Sequence, residues 1–139
     1  MASRYESLKV AVAGNVRGAA HQYLAEGPFG DHDALTQRPD DPLVAQWKEE
    51  AVAGLKSSAD SGDRQAMIDL MQLYDSGVIV ARDPVKALTY LLVENQVAEQ
   101  FGHPRSPTYI QRAEAHLTPE QISAATLDSK RILEHCCTK

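Results

Sequence analysis

Residues 62–90 read GDRQAMIDLMQLYDSGVIVARDPVKALTY, and the fold follows from this stretch. Asp63 supplies an acceptor cap for a helix running to Ser76, with Ala66, Met67, Leu70, Leu73 and Tyr74 at spacings of three and four. Gly77 stops that helix. Val78-Ile79-Val80 is an apolar linker too brief to be a useful strand. Asp83-Pro84 opens a second helix with an acceptor cap and a ring at the first helical position, where no amide donor is missed. Its apolar members are Val85, Ala87, Leu88, Leu91, Leu92 and Val97, and it ends near Phe101-Gly102. Ala66 and Ala87 are small enough to let the two helices approach closely, Leu70, Leu73 and Tyr74 fill the seam, and Gly77 permits the reversal.

The same signals recur on both sides of this stretch. Tyr5 to Glu26 places Leu8, Val12, Val16, Ala19, Ala20 and Tyr23 on one face, weakened by Gly14 and Gly18 and stopped by Gly27-Pro28. Gly30 to Asp40 is a polar loop without a periodic pattern, which marks a functional insertion or a mobile one. Asp41-Pro42 starts a helix to about Ser61 with Leu43, Trp47, Val52 and Leu55 as core positions. Two prolines in His103–Pro107 make a connector, followed by a short helix from Thr108 to His116. Thr118-Pro119-Glu120-Gln121 matches a capping box, and the last helix runs to about Cys136 with Ile122, Ala125, Ile132 and Leu133 inward. The expectation is an all-α chain of six helices.

Composition agrees. The 139 residues suit one domain, and 43% hydrophobic with 24% charged residues excludes wholesale disorder. Alanine accounts for 19 residues and aromatics for only 6%, which favours closely packed helices over a sandwich of sheets. A net charge of −5 without a basic stripe argues against nucleic acid, and no apolar stretch is long enough for a membrane span. Cys136 and Cys137 are adjacent near the C-terminus and read as two unpaired thiols on a fraying helix end. Met1-Ala2-Ser3-Arg4 lacks a basic-then-apolar leader pattern, so the expectation is a cytoplasmic chain, or a periplasmic one if a native signal has been replaced.

Asp41-Pro42-Leu43-Val44-Ala45 and Asp83-Pro84-Val85-Lys86-Ala87 form an internal repeat 42 residues apart. Gly62 through Asn95 resembles a Sel-one-like repeat, a relative of the tetratricopeptide repeat. The resemblance is carried by Ser58-Ala59, Gly62, Ala66, Leu70, Leu73-Tyr74, Gly77, Asp83, Lys86-Ala87 and Tyr90. It implies a short α-solenoid of antiparallel helix pairs in one domain. Residues 1–61 would form a degenerate first repeat with an inserted loop over 28–40, residues 62–102 the best-matching repeat, and residues 103–139 capping helices. The first unit departs from the pattern at Val44, where the family has lysine.

Candidate chemistry is sparse. Asp31-His32-Asp33 gathers three donors on one loop, but alternating neighbours rarely converge on one ion, and His21, His103 and His116 lack a helical partner. No H-E-x-x-H, G-x-S-x-G, phosphate loop or G-x-G-x-x-G occurs. The reading is a non-enzymatic chain with no cofactor and no metal ligand. The resemblance implies a bacterial protein–protein interaction module, since the first helix of each pair lines the concave side where partners bind; the chain is expected to be a monomer or weak dimer. Arg64, Asp69 and Gln72 are then groove positions facing solvent, and Asp31 and His32 belong to the competing loop surface. The partner would be another protein, such as a secreted effector or toxin; in the latter case the chain would act as an immunity protein. An enzyme or small-molecule binder using a pocket between helices is the alternative.

Overall fold

The computed structural model describes residues 4–137; residues 1–3, part of the leader reading, and 138–139 lie outside the described residues. The fold is all-helical, with eight α-helices and no strand among the described residues. They are α1 (Arg4–Ala13), α2 (Ala19–Glu26), α3 (Ala34–Gln37), α4 (Pro42–Asp60), α5 (Arg64–Ser76), α6 (Pro84–Gln100), α7 (Pro107–Glu114) and α8 (Pro119–Cys136).

The helix starts are where the cap residues place them. The carboxylates of Asp41, Asp63 and Asp83 accept from the amides of Leu43, Gln65 and Val85. Ser106 and Thr118 cap α7 and α8, with Gln121 completing the capping box at Thr118. Each such cap contributes about 1 kcal/mol. Gly77 closes α5 in the left-handed conformation at φ 73°, and its amide donates to the Leu73 carbonyl.

Packing runs α4–α5, α5–α6, α6–α8 and α8–α4, so these four helices form a closed circuit around the main core. That core contains Leu55, Ala59, Ala66, Met67, Leu70 and Val93. Tyr74 and Tyr90 lie nearly parallel across the α5–α6 seam, their ring centroids 6.2 Å apart. Burial, assisted by Asp60 and Tyr74, pushes the Tyr90 phenol up to about 12. A second cluster joins Tyr23, Trp47 and Ala51 beneath α1 and α2, and a third joins Leu88, Leu91 and Ala125 with Ile110 and Ala113 of α7. Ala66 is fully buried (0% exposed). Ala66→Leu is therefore expected to lower stability by about 1–3 kcal/mol, read as a fall in the denaturation midpoint.

Four expectations need correction. The first helix does not run unbroken from Tyr5 to Glu26: Asn15 (φ 53°) and Gly18 (φ 84°) take left-handed conformations, and the chain turns between α1 and α2. Val16 consequently leaves the apolar face and is 56% exposed, as is Leu43 (55%) in the first turn of α4. The 30–40 segment is not a featureless loop. A 3-10 turn over Pro28–Gly30 precedes it and α3 lies within it, with Ala34 buried and Leu35 packed on the Trp47 cluster. Gly27 is required at this entry, since its φ is 79° and a Cβ there would meet the His32 Cα at 2.5 Å. Finally, Cys136 and Cys137 are not free thiols but are bonded to each other, and they pack against the main core. A bridge between neighbours closes no useful loop.

Candidate functional site

α5, α6 and α7 splay around a solvent-open cleft of about 360 Å³. Its floor is apolar, made of Met71 from α5 with Pro84, Ala87, Leu88 and Leu91 from α6. Its rim is polar, made of Gln72 and Asp75 on one side and Tyr109, Arg112 and His116 on the other. The rim residues of the second side follow from sequence spacing: positions 109, 112, 113 and 116 recur at three and four, so one face of α7 and its following turn points into the cleft. Ala113 occupies the same face and keeps it close to Leu88 and Leu91.

The rim's polar side chains differ in their partners. Arg82 reaches across to α5, where its Nε donates to the Asp75 carbonyl at 3.1 Å and its Nη2 stands 4.0 Å from the Asp75 carboxylate. The side chains of Arg112 and His116, by contrast, make no hydrogen bond or ion pair with any described residue. Met71 on the floor is unbranched and polarisable, and such side chains adapt to irregular occupants.

The residues expected to form one groove are dispersed. Gln72 lies exposed on the cleft rim. Asp69 is the clear correction: it is 4% exposed, its Oδ2 accepts from His21 Nδ1 at 2.6 Å and its Oδ1 accepts from Gln65 Nε2 at 3.1 Å. α2 packs on α5 here, so the face of α5 that a helix-pair array would leave open is covered. Arg64 is half-buried and engaged, donating through Nε and Nη2 to Glu94 Oε1 at 3.3 and 2.9 Å. Asp31 and His32 are exposed, and Asp31 accepts from Arg38 at 3.3 Å. Beside them Phe29 is an exposed aromatic ring in a left-handed backbone conformation, φ 57°.

A second cleft between α1 and α4 is closed in its chemistry. Tyr23 donates to Glu50 at 3.1 Å and shares a hydrogen bond with Tyr5 at 3.0 Å, while Lys9 pairs with Glu50 at 3.6 Å. Burial above all, with the Tyr5 and Glu50 contacts, holds the Tyr23 phenol well above its ordinary range. These groups satisfy one another. Among the described residues no group of three His, Cys, Asp or Glu side chains is placed to hold a metal ion, and no helix is long and apolar enough to cross a membrane. No family model, curated protein or solved structure matches the chain.

Proposed function

We propose that the protein is a non-catalytic protein–protein interaction module whose partner docks in the α5–α6–α7 cleft. The observation behind this reading is the cleft's build: an adaptable apolar floor, a polar rim and an open mouth, with no nucleophile and base brought together inside it. A catalytic or small-molecule site would instead be deep, with convergent titratable groups. The Sel-one-like reading is kept for the α5–α6 hairpin, whose seam holds Ala66, Leu70, Leu73, Tyr74 and Tyr90, with α8 as the cap resting on both α4 and α6. An immunity protein is one version of this module, with a toxin as the partner.

The test is affinity capture from the source organism with mass spectrometry, run in parallel on wild type and Gln72→Trp. Gln72 is exposed, so the substitution is expected to change stability by no more than about 0.5 kcal/mol while its indole obstructs the cleft and reduces capture. Phe29→Ser with Asp31→Lys tests the competing surface without deleting Ala34 and Leu35, which support the Trp47 cluster. Capture that survives Gln72→Trp and disappears with the loop variant would move the recognition site to residues 28–40.

A further inference from the structure

Building on the reading of this cleft as a docking surface, we infer that its occupant is an acidic amphipathic segment of the partner protein, apolar on one side and carboxylate-bearing on the other. The argument is charge complementarity over an apolar floor. The whole chain carries a net charge of −5 with histidines counted neutral, yet the cleft lining contains one acid, Asp75, against two arginines, Arg82 and Arg112, with His116 also on the lining. Arg82 lies over Asp75, so the formal charges of these two offset each other. What remains is Arg112, with His116 one helical turn further on, beside Leu88 and Leu91. Neither is held by a described residue, so both are free to meet an incoming group.

The three classes of occupant fare differently. A basic segment would set like charge against Arg112 as it closed on the floor, which is costly at close range. A purely apolar segment would cover the guanidinium and strip its water without supplying an acceptor, and an unmade hydrogen bond to a charged group is expensive. An acidic amphipathic segment seats aliphatic side chains on Met71, Leu88 and Leu91 and gives Arg112 a carboxylate of matching fork geometry. The cation therefore acts as a selector as well as a contact.

The experiment uses a pair of short synthetic helical peptides that share their leucines, one bearing glutamates and the other lysines at the polar positions. Each is titrated into the full-length ¹⁵N-labelled protein while the backbone amides are followed. The glutamate peptide is expected to shift amides in α5, α6 and α7 around the cleft and to bind at least about tenfold more tightly than the lysine peptide, a difference that shrinks as salt rises. Arg112 is exposed, so Arg112→Glu should leave the fold intact and invert the preference. Equal binding of both peptides at the cleft would overturn the acidic assignment while leaving the docking reading in place. A preference for the lysine peptide, or no shift at the cleft with either, would overturn it as well. The capture experiment with Gln72→Trp then decides the docking reading by itself.

Discussion

Asp69→Lys is expected to destabilise the protein by about 3 kcal/mol or more, lowering the melting temperature by roughly 10 °C. The carboxylate it replaces is 4% exposed and sits between α2 and α5, accepting from His21 and Gln65. A lysine at this position would bring an ammonium, which can only donate, against two groups that are themselves donors here. It would have to leave the site by displacing α2 or shed its proton, and either costs free energy. Asp69→Asn separates the charge from the shape: it keeps the volume and one acceptor, so a loss of only about 1–2 kcal/mol is expected. Thermal unfolding of both variants checks the pair. Equal, small losses would mean that His21 and Gln65 do not depend on the Asp69 charge.

This residue also shows what the sequence could convey and what it could not. The helices were legible because their determinants are local. Asp41-Pro42, Asp63, Asp83-Pro84 and Thr118-Pro119 each set a start within a few residues of themselves, and the three-and-four spacing of Leu70, Leu73 and Tyr74 fixes the buried side of α5. The left-handed break at Asn15 was less legible, because the apolar pattern of α1 runs on through Val16 as though the helix continued. The burial of Asp69 was not legible at all. Whether α5 keeps an open face depends on where α2 settles, and that is a long-range contact with no local signature. The cleft was half legible. Gln72 is found on it, but Arg112 and His116 come from a short helix placed by the packing of Ile110 and Ala113 on Leu88 and Leu91. The spacing of Tyr109, Arg112, Ala113 and His116 was the available signal.

A larger loss is expected from stripping the partners of Glu94. This carboxylate is 1% exposed on α6. Its Oε1 accepts from Arg64 at 2.9 Å and its Oε2 accepts from Arg105 at 2.7 Å. Arg105 is itself fixed, since its amide donates to Asn95 Oδ1 at 2.7 Å and its guanidinium lies 5.0 Å over the Tyr109 ring. The cluster thus ties the start of α5 and the connector before α7 to α6, which also sets one wall of the cleft. Replacing both cations, Arg64→Met with Arg105→Met, keeps much of their apolar stem while leaving a buried carboxylate with no counter-charge. Uncompensated buried charges cost about 3–5 kcal/mol, a large share of the roughly 5–15 kcal/mol that holds a typical domain together. Adding Glu94→Met to the pair removes the stranded charge, so the triple variant is expected to regain most of that loss, because an apolar replacement of a whole buried ion cluster is often neutral or better. Denaturant midpoints of the double and triple variants decide it. A double variant within about 1 kcal/mol of wild type would mean that water reaches Glu94, and a triple variant no better than the double would mean that the arginines act through packing rather than charge.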